Sequence, residues 1–307
     1  MTPQMTLQDK LQAKRFVITA EVTPPVSADR AELLAKALPL KGLADAVNVT
    51  DGAGARPHLG SVTAAAILVE QGVEPVLQLT CRDRNRIALQ SDLLSAAACG
   101  VRNLLVLRGD DPSAGDQPDA KPVFDLDPRQ LLETARRLRD SHELPSGRKI
   151  TGAAPFFLGS ADNPIDPPPG WAPAGLAAKL AAGAQFVQTQ FCMDSQVVRR
   201  YMARLDEHGL ADKLKFLIGV VPLRSAKSAR WIKEKLFGAT IPNAIVERME
   251  RAGDSVAEGR RICLDLVAEL ADIPHVAGVH IMAPGNESAV PEIIKAARES
   301  ISRLAPA

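Results

Sequence analysis

Cysteine is scarce in this sequence, and none of the cysteines lies in a C-x-x-C pair. The 307 residues hold four, Cys81, Cys99, Cys192 and Cys263. Four scattered thiols are too few for a disulfide framework in a chain of this length, so we expect reduced thiols in a cytoplasmic protein. The five histidines form no ligand-spaced cluster with the cysteines, so we expect no structural metal site.

Long apolar runs and an excess of charge are also missing. No apolar stretch approaches the roughly 18 residues needed to span a bilayer, and the polar first 14 residues do not resemble a secretory signal. Lys and Arg total 37 against 36 Asp and Glu, which argues against a general binder of nucleic acid or of anionic membranes. We therefore expect small-molecule partners, and a homo-oligomer remains open.

Short apolar runs rich in β-branched residues alternate with longer amphipathic stretches along the whole chain. The runs predict strands over 16–22, 45–50, 75–80, 103–107, 149–155, 186–190, 215–221 and 276–282. The stretches predict helices over 28–38, 58–71, 85–99, 128–139, 176–182, 195–207, 226–270 and 290–304. The region 226–270 is broken near 240–242 and 253–254, which places extra helices between strands seven and eight.

Eight strand-then-helix units in one series are typical of a parallel sheet, because parallel neighbours need a crossover connection. About eight units in 307 residues fit a (β/α)8 TIM barrel in the α/β class. A doubly wound open sheet is the alternative, but the G-x-G-x-x-G that would mark it after the first strand is absent. We expect a single domain over 1–307, with residues 1–14 as an N-terminal extension and no appended regulatory region.

Polar residues at the carboxyl ends of the predicted strands are candidate site residues, because barrels of this type bind their ligands there. Glu21 ends strand one among Val, Thr, Ala and Pro. A carboxyl group in apolar surroundings keeps its proton more readily, which suits a general acid, although an ion pair with an arginine would also explain it. His280, on strand eight, is more typical of a hydrogen-bonded core residue.

Strand four runs directly into Arg108, Gly109, Asp110 and Asp111. Asp110 either faces a ligand or caps the next turn, and we favour the ligand-facing interpretation. A cell-adhesion interpretation of Arg-Gly-Asp does not suit a loop after a core strand. Gln190 alternates with apolar residues on strand six, so its amide either meets a ligand heterocycle or satisfies a backbone edge.

Five motifs in order resemble methylenetetrahydrofolate reductases. They are AEVTPP at 20–25, VTDGA at 49–53, LTC at 79–81, LRGD at 107–110, and AGA at 182–184 leading to TQF at 189–191. The resemblance implies a (β/α)8 barrel with FAD bound at the strand carboxyl ends. It also implies hydride transfer from NADH or NADPH through the flavin to 5,10-methylenetetrahydrofolate, a step of one-carbon metabolism and methionine biosynthesis.

The resemblance assigns roles to the folate-facing residues by motif. Glu21 matches the general acid that helps to open the imidazolidine ring of the folate. Asp110 matches the carboxylate between flavin and pterin, and Gln190 matches the residue that hydrogen-bonds the pterin.

The resemblance also assigns flavin-facing residues. Thr50 matches a threonine beside the reactive edge of the isoalloxazine, and Arg108 and Gly109 belong to a flavin-contacting turn. Lys179 matches a lysine near the flavin phosphates. Gln78 stands where better-known bacterial enzymes carry a flavin-contacting histidine.

Other departures from the family pattern concern the groups that hold the cofactor or stack on the folate. Ala154 stands for a tyrosine expected after strand five, Ala178 for an arginine, and Ala226 for a folate-stacking phenylalanine. A proline-rich stretch over 163–173 replaces a segment that helps to hold the flavin. Three alternatives stay open for the cofactor: weakly bound FAD, FMN, or no tightly bound flavin.

Two further functions stay open at this point. The chain could oxidise 5-methyltetrahydrofolate in methyl-group catabolism, which changes only the direction of the reaction. It could instead be a non-catalytic folate- or flavin-binding subunit of a methyl-transfer complex. The presence of both Glu21 and Asp110 favours catalysis.

Overall fold

Eight parallel strands close into a barrel in the computed structural model, which describes residues 5–304. Each strand pairs with its neighbours in sequence, and the last pairs in parallel with the first. The closed order confirms the predicted (β/α)8 barrel and excludes the doubly wound sheet. The strands are β1 (Val17–Val22), β2 (Ala46–Val49), β3 (Pro75–Thr80), β4 (Asn103–Leu107), β5 (Phe157–Asp162), β6 (Phe186–Phe191), β7 (Lys215–Val220) and β8 (Val276–Ile281).

Helices surround the barrel and follow the strands in the predicted alternation. They are α1 (Leu7–Gln12), α2 (Arg30–Ala37), α3 (Ser61–Glu70), α4 (Arg86–Ala98), α5 (Pro128–Ser141), α6 (Ala174–Ala182), α7 (Ser195–Glu207), α8 (Ala226–Lys235), α9 (Asn243–Arg251), α10 (Ser255–Ala271) and α11 (Val290–Leu304). The helices α8, α9 and α10 confirm the extra helices between strands seven and eight. Within the described range, no helix combines the length and the apolar character needed to cross a bilayer.

The predicted fifth strand over 149–155 is wrong, because β5 begins at Phe157. The segment 149–155 is a loop in which Gly152 has a φ of +86°, and Ala154 therefore precedes β5 instead of following it. In β5 the apolar run is short, because Gly159 interrupts it at a position that faces the Phe186 ring. A Cβ on Gly159 would lie 2.3 Å from that ring, so the neighbouring strand fills the space that a larger side chain would otherwise occupy.

A buried apolar layer closes the amino end of the barrel. Leu7 and Leu11 of α1 pack against the inward side chains near the starts of seven strands, namely Val17, Ala46, Val76, Leu105, Phe157, Phe186 and Leu217. The rings of Phe157 and Phe186 stack with centroids 4.8 Å apart. The segment expected to be an extension thus contains a helix that belongs to the core.

Glu74 attaches α1 to the barrel. Its Oε1 accepts hydrogen bonds from the Leu7 backbone N–H at 2.8 Å and from Asn103 Nδ2 at 2.9 Å. Burial raises the pKa of the Glu74 carboxyl above its ordinary value of 4.5, against the opposing effect of these hydrogen bonds. The Glu74 carboxyl group is therefore protonated more readily in the folded state than in the unfolded chain.

Glu74→Gln is expected to reduce the pH dependence of the free energy of unfolding. The stability contributed by a group with a raised folded-state pKa is lost as the pH rises through that pKa. Glutamine keeps an oxygen for Leu7 and Asn103 but has no proton to lose, so the variant should gain stability relative to wild type as the pH rises above 4.5. Urea unfolding across this range measures the difference. The exposed Glu70→Gln is the control, and an equally pH-dependent difference there would contradict the assignment.

Candidate active site

Glu21 lies at the carboxyl end of β1 with a side chain that is 20% exposed. Its Oε2 accepts a hydrogen bond from Gln78 Nε2 at 2.9 Å, and His280 Nε2 lies 3.7 Å from the same oxygen. Within residues 5–304, no arginine pairs with Glu21 and no hydrogen bond reaches its Oε1. The carboxyl group is thus attached to the barrel interior through one oxygen only.

A buried polar layer lies below Glu21 inside the barrel. Gln188 donates from Nε2 to Asn48 Oδ1 at 3.0 Å and to Thr19 Oγ1 at 3.1 Å, and its Oε1 accepts from Asn48 Nδ2 at 2.6 Å. Thr19 Oγ1 lies 3.0 Å from His280 Nδ1. Sequence reasoning singled out neither Asn48 nor Thr19, although each stands two residues before a candidate on the same strand face.

Thr50 and Gln190 follow the polar layer at the carboxyl ends of β2 and β6. Thr50 Oγ1 is buried and has no hydrogen-bond partner among the described residues. Gln190 Oε1 accepts from the Phe191 backbone N–H at 2.9 Å, and the register with β7 shifts at this point. The backbone-edge interpretation therefore holds for the oxygen of Gln190, while its Nε2 makes no hydrogen bond within residues 5–304.

Asp51 joins the ends of two strands and the start of α3. Its Oδ1 accepts from Ser61 Oγ at 2.9 Å. Its Oδ2 accepts from Thr80 N at 2.8 Å, from Thr80 Oγ1 at 2.9 Å and from Arg84, which also pairs with Asp92 at 2.8 Å. In the sequence Asp51 stands out only as part of the VTDGA motif at 49–53, because its partners lie in other units of the barrel.

Arg82 is a buried cation that braces the loops after β2 and β4. It forms two hydrogen bonds with Asp83, at 2.6 and 2.7 Å, which raise the pKa of the guanidinium. It also donates to the backbone carbonyls of Gly52 at 3.2 Å and Asp110 at 3.3 Å. Gly109 packs on it with a φ of +92°, and a Cβ there would lie 2.9 Å from Arg82 Cβ, so this turn requires glycine.

Asp110 is exposed at the rim, and its Oδ2 accepts a hydrogen bond from the Gly54 backbone N–H at 3.2 Å. The cap of the following short turn is Asp111, whose side chain accepts a hydrogen bond from the Ser113 backbone N–H, and not Asp110. Arg108 lies over the Phe124 ring, 4.4 Å from its centroid. The rim after β4 therefore presents one carboxylate and one exposed guanidinium that rests on an aromatic ring.

Lys179 reaches the carboxyl end of β5. Its Nζ donates to the Ala161 carbonyl at 2.5 Å and lies 3.5 Å from Asp162 Oδ1. Tyr201 donates from its hydroxyl to the other oxygen of Asp162, and burial is the main cause that raises the pKa of this phenol. The ammonium group thus neutralises a carboxylate of the barrel itself.

The buried cysteines are poor nucleophiles. Burial raises the pKa of Cys81 to about 11 and that of Cys192 to about 12. Asp206, Asp212 and His275 form an exposed group that could hold a metal ion, since their ligand atoms lie within 4.8 Å of one another. This group lies on the segments before β7 and β8, at the opposite end of the barrel from Glu21.

The fold and the rim define a (β/α)8-barrel protein with carboxylate, amide and hydroxyl groups at the end where such barrels bind their ligands. The chain belongs to the methylenetetrahydrofolate reductase family, whose profile matches residues 6–298.

Two curated relatives carry the same family name. A probable methylenetetrahydrofolate reductase (NADPH) of Caenorhabditis elegans is 26% identical over 245 residues, which cover 76% of this chain and 34% of the relative. Methylenetetrahydrofolate reductase 2 of Schizosaccharomyces pombe is 22% identical over 206 residues, which cover 65% of this chain and 31% of the relative. The chain spans about a third of the length of these relatives.

Solved structures share the barrel. A protein from Clostridium thermocellum that binds two copies of 5-methyl-5,6,7,8-tetrahydrofolic acid superposes with a TM-score of 0.65 at 12% identity, covering 96% of this chain and 99% of the other. DmoA from Hyphomicrobium sulfonivorans gives a TM-score of 0.56 at 13% identity, covering 93% and 88%. At such identities the likeness concerns the fold.

Asp51→Ala is expected to lower the free energy of unfolding by about 3 kcal/mol, because it leaves Arg84 and Thr80 without their shared acceptor. Asp92→Ala is the matched control, since it removes the more exposed partner of the same arginine and should cost less than about 1 kcal/mol. Denaturant unfolding of both variants gives the comparison. Equal losses would mean that Asp51 does not hold the rim together.

Proposed function

We propose that this chain reduces 5,10-methylenetetrahydrofolate to 5-methyltetrahydrofolate with hydride from NADH or NADPH. Family membership supports the reaction, and the name of the Caenorhabditis elegans relative specifies NADPH. The observation that carries the proposal is Glu21, a rim carboxyl group that accepts a hydrogen bond from the Gln78 amide and pairs with no arginine or lysine among residues 5–304. A carboxyl group at the carboxyl ends of the strands suits proton transfer to a bound substrate.

The positions of the side chains support the folate-facing roles that the family resemblance implies. Glu21 supplies the proton that opens the imidazolidine ring, through the oxygen that makes no hydrogen bond to the barrel. Asp110, exposed beside the Gly54 amide, orients the pterin by accepting its N–H groups. Gln190 has a free Nε2 to donate to the same ring system, because its oxygen is already bound to the backbone.

A flavin ring suits the rim between β2 and β4. Thr50 offers a buried hydroxyl group that has no partner among residues 5–304, and Gly109 holds the turn after β4 close against Arg82 and Thr80. When bound, the flavin accepts hydride from the nicotinamide nucleotide and delivers it to the folate. Thr50, Gln78, Arg108 and Gly109 are the residues that we propose to contact it, and FAD is the form that the family resemblance implies.

The phosphate end of the flavin has weaker support. Lys179 would have to leave Ala161 and Asp162 to bind a phosphate, and position 178 is alanine. We therefore expect loosely bound FAD or FMN. The engagement of Lys179 favours one second candidate, a reductase without a tightly bound flavin that transfers hydride directly between the nucleotide and the folate.

The absorption spectrum of the purified protein, followed by anaerobic NADH and then NADPH, separates these candidates. A flavin spectrum that one nucleotide bleaches supports the flavin-dependent reductase. Turnover of methylenetetrahydrofolate without flavin, unchanged by added FAD or FMN, supports the second candidate. Folate binding without turnover under all conditions would overturn both and favour a binding subunit.

Glu21→Gln is expected to lower the rate of folate reduction by at least about a hundredfold, because glutamine keeps the contact with the rim but has no proton to give. In a flavin-loaded enzyme, reduction of the flavin by the nucleotide should stay near the wild-type rate. Stopped-flow measurement of the two half-reactions checks this, with the exposed Glu299→Gln on α11 as the control. Equal loss in both half-reactions would show that Glu21 is not the acid.

A further inference from the structure

The buried side-chain amides of Asn48 and Gln188 determine which neighbouring groups donate hydrogen bonds and which accept them. Gln188 Nε2 donates to Asn48 Oδ1 at 3.0 Å and to Thr19 Oγ1 at 3.1 Å, and the longer contact from the same nitrogen, 3.5 Å, reaches His280 Nδ1. Thr19 Oγ1 therefore accepts a hydrogen bond, and its own hydrogen must go elsewhere. Because Thr19 is fully buried, no water can take that hydrogen without a cost to the folded state.

Two acceptors lie within reach of the Thr19 hydroxyl hydrogen. His280 Nδ1 is 3.0 Å away, and the Val279 carbonyl is 3.4 Å away. The shorter distance favours His280 Nδ1 as the acceptor. A neutral imidazole that accepts at Nδ1 carries its hydrogen on Nε2.

The Nε2 hydrogen of His280 then faces Glu21. His280 Nε2 lies 3.7 Å from Glu21 Oε2, the same oxygen that accepts from Gln78 at 2.9 Å. His280 is 2% exposed, so Glu21 is the acceptor that its Nε2–H meets. Because the Gln78 hydrogen bond occupies Oε2 and the His280 Nε2–H faces the same oxygen from 3.7 Å, a proton bound to this carboxyl group belongs on the other oxygen, Oε1.

We propose that His280 is a positioning residue which, in the Nε2–H form selected by Thr19, fixes Glu21 so that Oε1 carries the transferable proton. The catalytic role that this inference gives to the proton rests on the proposed function. The arrangement of hydrogens itself is independent of the substrate.

The proposed proton transfer from Glu21 to the folate accounts for every bond that breaks or forms. The O–H bond at Glu21 Oε1 breaks, an N–H bond forms on a ring nitrogen of the folate, and Glu21 is left as a carboxylate. The contacts from Gln78 and His280 to Oε2 then become charge-assisted, which makes them shorter and stronger. Since they strengthen only as the proton leaves, they lower the barrier instead of tightening substrate binding.

The first test is the nitrogen-15 NMR spectrum of the histidines in the substrate-free protein near neutral pH. The chain has five histidines, and His280→Gln identifies the signals of His280 by their loss. We expect Nδ1 without a proton and Nε2 with one. Both nitrogens protonated, or the proton on Nδ1, would overturn the proposal whether or not the protein reduces folate.

Paired variants at position 280 form the second test. Gln places an amide nitrogen near the position of Nε2 and Asn near that of Nδ1, so only Gln can replace the donor to Glu21. We expect kcat for folate reduction to fall roughly ten- to hundredfold in His280→Asn, with partial rescue in His280→Gln and little change in KM. Equal losses in the two variants would overturn the positioning role.

Position 19 supplies a test if the His280 variants do not fold. Thr19→Val removes the hydroxyl group at similar volume, and Thr19→Ser restores it. The valine variant should lose the preference for the Nε2–H form in the NMR spectrum and should lower kcat, while the serine variant should retain both. A valine variant with the wild-type form of His280 would overturn the proposal. Absence of folate turnover in wild type would instead count against the proposed function alone.

Discussion

The inside of a closed barrel offers no bulk water, so every polar group placed there must find its partner inside or cost several kcal/mol. The amino end meets this constraint with apolar side chains and the leucines of α1. The middle of the barrel meets it with the side-chain amides of Asn48 and Gln188, which hydrogen-bond each other. The remaining N–H of Gln188 donates to Thr19. Among the described residues, a few buried polar atoms have no hydrogen-bond partner, and they include Thr50 Oγ1 at the carboxyl rim and Asn103 Oδ1 at the start of β4.

The same constraint explains why most charged side chains of the rim pair with other groups of the barrel. Asp51 and Arg84 hold the ends of β2 and β3 together, and Arg82 braces the loops after β2 and β4 through their backbone carbonyls. Lys179 is used in a similar way at β5. These cations serve the scaffold, whereas Glu21 has no arginine partner among the described residues. The Glu21 carboxyl group instead accepts one hydrogen bond from the Gln78 amide.

Much of this arrangement could be predicted from local patterns, and the failures have identifiable causes. Glu21 and Asp110 could be singled out because polar residues at strand ends are visible in sequence, and the structure places both at the carboxyl rim. Strand β5 was missed because Gly159 interrupts its apolar run. Glycine is needed at this position because the Phe186 ring of the next strand leaves no room for a side chain. The helix α1 was missed because it is short and gains its stability from the barrel end that it covers.

The sequence by itself determined the alternation of strands and helices, and therefore the barrel and the end of it that carries the candidate site. This is because hydrophobic periodicity and the turn residues that end each element act over a few residues. Only the tertiary structure decided which polar groups meet. Asn48 and Gln188 are 140 residues apart, and Glu21 and Gln78 are 57 apart. Such pairs depend on the register of the closed sheet, and register is a property of neighbouring strands together that no single segment contains.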